Sequence, residues 1–106
     1  MFTGNEDHDI SLSAASTMTK NYRDTISSNE VIAHYIGRSD LIELLNQTNC
    51  VGMRIYYGLD NGAKELVFVG VNASGNDLYT GKLLDRTIKC PQDCSAANPL
   101  NSDVTP

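Results

Sequence analysis

The chain has 106 residues, 41% of them apolar and 20% charged, with three Pro and no Trp, which is the length and balance of one ordinary domain and excludes the disordered and fibrous classes. Thirteen acids against eight Lys and Arg give a formal charge of −5, and the cations are scattered, so the concentrated basic footprint of a nucleic-acid partner is missing. The opening MFTGNEDHDI lacks the basic start and apolar run of a secretory leader, no segment approaches a membrane span, and three Cys, an odd number, suit a reducing interior; the expected location is the cytoplasm, with no membrane partner.

Residues 1–9 are polar and rich in acids, which predicts a flexible arm. From Ile10, the spacing of Leu12, Ala15, Met18, Tyr22 and Ile26 predicts an amphipathic helix capped by Ser11 or Ser13, with Thr17, Thr19 and Lys20 on its wet side. Ser27 followed by Glu30 is a capping-box pair. It predicts a second helix with Val31, Ile32, Tyr35 and Ile36 on its apolar face and Gly37 as its left-handed end. A third helix follows, capped by Ser39, with Asp40 at the positive end of its dipole and Leu41, Ile42, Leu44 and Leu45 packing.

The period changes to two at Cys50. Val51, Met53, Ile55 and Tyr57 alternate with Gly52, Arg54 and Tyr56, which predicts a strand with one more apolar face. Gly58 to Ala63 is read as the turn, and Lys64 to Val71 as the returning strand. Both faces of that second strand are apolar, Leu66, Phe68 and Gly70 on one side and Val67, Val69 and Val71 on the other, so it is expected to be central. Three short helices leave part of such a strand uncovered, which points to a second subunit. Leu78 to Leu84 is expected to form a third strand and Arg86 to Lys89 a fourth extended piece. The tail, residues 91–106, is read as irregular and anchored by Leu100. The segments GLDNGAKEL and GVNASGNDL echo each other as two hairpin turns of similar chemistry. The fold class expected is α+β: N-terminal helices packed on an antiparallel three- to four-stranded meander, in a single domain over residues 10–90.

Cys90 and Cys94, in C-P-x-x-C, stand near metal-ligand spacing, but a structural zinc site needs about four ligands and only Cys50, His8 and His34 remain to complete it. Unlinked thiols or a reversible disulfide are the plainer readings, and thioredoxin-like chemistry is disfavoured by spacing. Cys50 has His34 as the nearest base in sequence, yet a small buried hydrophobe is the ordinary role of a free cysteine. Asp60-Asn61-Gly62 and the run from Asn72 to Asp77 resemble calcium loops in outline but lack the distant bidentate Glu, and turn chemistry accounts for both. Arg54 lies within an apolar strand and needs a carboxylate, carbonyls or an anion. Asp60, Glu65, Asp77 and Asp85 are the internal candidates. Alternatively Arg54, Tyr56, Tyr57 and His34 form the best set for a small anionic ligand.

The motifs ISLSAASTMTKNYRDT, CVGMRIYYGLD, LVFVGVNASGND and CPQDCS resemble those of small uncharacterised bacterial proteins, and the resemblance extends over most of the chain beyond the arm. It implies no substrate, cofactor or site residue. With no nucleophile-base-orienter set, phosphate loop or complete metal set, the function expected is that of a non-enzymatic binding or assembly module that forms a homodimer. An anion-binding protein or enzyme using Arg54, and a metal or redox sensor using Cys90 and Cys94, are the alternatives.

Overall fold

The computed structural model describes residues 1–106. In chain order the elements are α1 (Leu12–Arg23), β1 (Ala33–Tyr35), α2 (Arg38–Leu45), β2 (Gly52–Asp60), β3 (Ala63–Val71), β4 (Leu83–Leu84) and β5 (Ile88–Cys90). The class is α+β, with a three-stranded sheet ordered β2-β3-β4 and a two-stranded sheet of β1 and β5. Two compact units divide the chain: the first takes Met1–Asp7 and Tyr35–Thr87, the second His8–His34 and Ile88–Pro106. No helix is long and apolar enough to cross a membrane.

The first unit is organised by the β2–β3 hairpin. Asn61 and Gly62 have φ of 50° and 83°, the pair of left-handed conformations that a two-residue type I′ turn demands and that Asn-Gly adopts most readily. The turn is therefore tighter than the expected span of Gly58 to Ala63, and the strands run on to Asp60 and restart at Ala63. Their antiparallel register pairs Arg54 with Val69, Tyr56 with Val67 and Tyr57 with Leu66. As expected, β3 is the central strand, because β4 adds to its other side through Phe68 with Leu84 and Val69 with Leu83.

The core on one sheet face is Leu44, Phe68 and Leu84, ringed by Ile36, Leu41, Cys50, Met53 and Leu66. Leu44 brings α2 onto the sheet and is fully buried, so Leu44→Ala would cost about 2–5 kcal/mol. Phe68, Val69 and Val71 are also buried. Phe68 to Val71 of β3 are thus buried within the single chain, Leu66 and Val67 are half-buried, and within this hairpin the exposed large apolar side chains are on β2.

Three local expectations change. Ser27 and Glu30 do meet, with Ser27 Oγ donating to the carboxylate at 3.4 Å and the Glu30 N–H to the Ser27 carbonyl at 3.1 Å, but they close only a turn. The β-branched Val31 and Ile32 favour extended backbone, and the Ile32 N–H donates to the Cys90 carbonyl at 2.8 Å; the expected second helix is β1 and its approach. Gly37 consequently precedes a helix instead of ending one, and stands at the N-cap of α2 without a side-chain cap. The third strand is shorter than Leu78 to Leu84: after the Val71–Asp77 bridge the chain turns through Tyr79 to Gly81 before Leu83 rejoins the sheet.

In the second unit, Ser11 caps α1 by accepting the Ala14 N–H at 3.0 Å, and Lys20 and Arg23 lie favourably in the last turn,. The protected side of α1 is Ala14, Ala15, Ser16, Thr19 and Arg23. Of the expected packing face, Ala15 and Ile26 are half-buried, whereas Leu12, Met18 and Tyr22 are exposed. The tail folds against this side because Arg23 donates to the Leu100 carbonyl at 2.9 Å and pairs with Asp103 at 3.1 Å. Leu100 is held by its backbone, with an exposed side chain. In the first unit, Phe2 is tied down as well, its N–H donating to the Ala73 carbonyl at 2.8 Å.

Candidate functional site

Arg54 and Tyr56 share a face of β2 because they are two residues apart. Asn72 shapes the loop beyond β3, its side-chain oxygen accepting the N–H groups of Ser74 and Asn76 at 3.1 and 3.0 Å. That loop returns Asp77 to the same face. The Asp77 carboxylate accepts from the Arg54 guanidinium at 2.5 Å and, through its other oxygen, from the Tyr56 hydroxyl, while the Gly75 carbonyl accepts from Arg54 at 3.2 Å.

The electrostatics follow from this geometry. The Tyr56 hydroxyl and then the Arg54 guanidinium hold the Asp77 carboxyl below its ordinary value against the opposing effect of burial. The Asp77 carboxylate in turn raises the Tyr56 hydroxyl and the Arg54 guanidinium. The arrangement engages Arg54 inside the chain through Nη1, and a small anionic ligand there would meet a resident carboxylate.

Of the four residues proposed for an anion, Arg54 and Tyr56 are brought together. Tyr57 points to the opposite face by the alternation of the strand and is 95% exposed,. His34 lies on β1 in the second unit. Cys90 and Cys94 are joined as a disulfide, and no group of three or more His, Cys, Asp or Glu is gathered that could hold a metal ion. Cys50 is a half-buried free thiol packed at the core, with Sγ 3.2 Å from the Gly52 carbonyl. An open depression of about 250 Å3 in the second unit is lined in part by Lys20, Arg23 and Asp103, but Asp103 already pairs with both cations.

The surface that stands out is the outer half of β2. Ile55, Tyr57 and Leu59 fall on one face at alternate positions and are 47%, 95% and 75% exposed. They lie on an edge strand of nine residues, and the stretch from Met53 to Leu59 contains no Lys or Pro, its one charge, Arg54, lying on the other face against Asp77,. Ile55 and Tyr57 belong to the face that the alternation marks as more apolar, yet they are exposed. The signal that could have corrected this is Asn61-Gly62: a two-residue turn lengthens the hairpin to Asp60, farther than the eight-residue α2 reaches to cover.

Comparison with protein-family models, with curated proteins and with solved structures finds no match.

Proposed function

We propose that this chain is a non-enzymatic assembly module whose partner is a second copy of itself. The observation that carries the reading is the exposed apolar edge of β2, where Ile55, Tyr57 and Leu59 lie beside an open row of backbone hydrogen-bonding groups,. A small-anion role for Arg54 has less support because the Asp77 carboxylate already stands against its Nη1. A metal-sensing role for Cys90 and Cys94 has less support because a disulfide consumes both thiols. The cytoplasm remains the proposed location; a Cys90–Cys94 bond still closed in protein trapped with alkylating agent directly from cells would favour an oxidising compartment instead.

Sedimentation velocity at micromolar concentration tests the reading. The wild type is expected to run as a dimer and Leu59→Lys as a monomer with an unchanged circular dichroism spectrum. A wild type that stays monomeric throughout the accessible range would remove the proposal.

A further inference from the structure

The direction of the backbone groups along β2 follows from the turn. Across a two-residue hairpin turn the closing pair, here Asp60 and Ala63, is hydrogen-bonded, and the bonded pairs then recur at every second residue,. Gly58, Tyr56 and Arg54 therefore direct their N–H and C=O groups toward β3. Met53, Ile55, Tyr57 and Leu59 direct theirs to the open side, where β2 has no neighbour.

A twofold axis near the middle of the exposed stretch can pass through Ile55, Tyr56 or Tyr57. An axis at Ile55 sets Arg54 against the partner's Tyr56. An axis at Tyr56 sets Arg54 against the partner's Gly58 and Asp60 against the partner's Gly52. Neither gives a charge its opposite. An axis at Tyr57 sets Arg54 against the partner's Asp60 and Ile55 against the partner's Leu59, and it sets Tyr56 against the partner's Gly58, where the ring has room. Asp60 forms no ion pair within the single chain, and Arg54 meets Asp77 and the Gly75 carbonyl through Nη1 alone, so Nε and Nη2 remain for a second carboxylate.

We infer that two copies join by antiparallel pairing of their β2 edges with Tyr57 opposite the partner's Tyr57, making one sheet that runs β4-β3-β2 and then β2-β3-β4 of the second copy. A twofold axis perpendicular to the sheet keeps odd-numbered residues of β2 on one face, so the Ile55, Tyr57 and Leu59 side chains of both copies form a single apolar patch. Arg54 and the partner's Asp60 bracket that patch on the other face, once at each end. Opposite charges directly across a ladder stabilise it and like charges oppose it, so this self-complementary placement selects the register.

The inference rests on the self-association reading, and cross-linking separates the two. Ile55→Cys and Leu59→Cys chains, each also carrying Cys50→Ser and one bearing an affinity tag, are co-expressed and oxidised. The mixed disulfide is expected to dominate, because residues opposite each other on the ladder are about 5.5 Å apart between Cα atoms, within disulfide reach. Two copies of Ile55→Cys would sit four residues out of step, on the order of 13 Å apart. Tyr57→Cys, in the same Cys50→Ser background, is expected to link to itself. A dimer by sedimentation that yields neither the mixed link nor the Tyr57→Cys link, or that links Ile55→Cys to itself, overturns the register and leaves the assembly reading standing. A monomer by sedimentation overturns both.

Discussion

The side-chain oxygen of Gln47 accepts the backbone N–H of Lys82 at 2.7 Å, while its nitrogen donates to the Leu44 carbonyl at 2.8 Å. One amide thus ties the end of α2 to the strand approach that β4 completes. Its position is possible because Gly70 has no side chain: a Cβ there would lie 2.9 Å from both Gln47 Nε2 and Cys50 Sγ. Lys82 adds ion pairs from the same place, reaching Glu43 at 2.8 Å and Asp40 at 3.5 Å.

Gln47→Ala is expected to lower unfolding stability by about 1–3 kcal/mol, because the half-buried Lys82 N–H loses its acceptor. Gly70→Ala should cost about 1–3 kcal/mol through overpacking. Made together, the two should cost less than their sum, since removing the Gln47 amide frees part of the space that the new methyl needs. Urea unfolding of the four proteins decides it; strict additivity would mean that Gly70 does not make room for Gln47.

A pH series tests the Asp77 cluster. Its carboxyl lies below the ordinary 3.8, principally through the Tyr56 hydroxyl, so the folded chain binds that proton more weakly than the unfolded chain. The resulting stability is present above the ordinary carboxylate value and is lost as pH falls through the lower, folded value. Tyr56 has the opposite sign. Its hydroxyl is raised above 10.0, first by Asp77, so its contribution is present below that pH and lost as pH rises through the folded value. Asp77→Asn should therefore melt below wild type near neutrality, with a gap that narrows below about pH 4 and above about pH 10. A gap of constant size across the range would show that the cluster does not control stability.

The Cys90–Cys94 disulfide closes a short loop, with a sequence separation of 4. Chain-entropy reasoning assigns a loop of that size about 2 kcal/mol. The Cys90→Ser, Cys94→Ser variant is expected to lose about that much by chemical denaturation, and elemental analysis of the wild type should find no stoichiometric metal. A tightly held zinc that disappears in the double variant would overturn this assignment and restore the metal reading.

The hairpin was legible in the sequence because its signals agree with one another. The alternation from Val51 to Tyr57, the Asn-Gly turn and the apolar run of β3 all specify the same pairing. The helix expected from Ser27 does not form because its signals compete: the capping pair is local, whereas the partner that holds Ile32 and β1 extended is β5, far along the chain. Periodicity likewise names Leu12, Ala15, Met18, Tyr22 and Ile26 as the packing side of α1, of which Ala15 and Ile26 are half-buried, but the contacts of Arg23 with Leu100 and Asp103 lie beyond any periodic pattern. Arg54 was recognised as needing a partner, and Asp77 was among four candidates. Only the path of the Asn72 to Asp77 loop chooses between them.

The division of the second unit into two stretches, His8–His34 and Ile88–Pro106, sets an order of events during synthesis. The β2–β3 hairpin joins neighbours through a two-residue turn and can close within microseconds of leaving the ribosome. β1 must wait for β5, which emerges on the order of seconds later. Throughout that interval the backbone of Val31 to Tyr35 has no strand beside it, and the Ser27–Glu30 turn is the nearest structure that can form from local sequence alone. A chain truncated after Thr87 should therefore display a finished hairpin together with protease-sensitive residues 27–35, and protection of those residues should arrive only when the chain extends through Cys90.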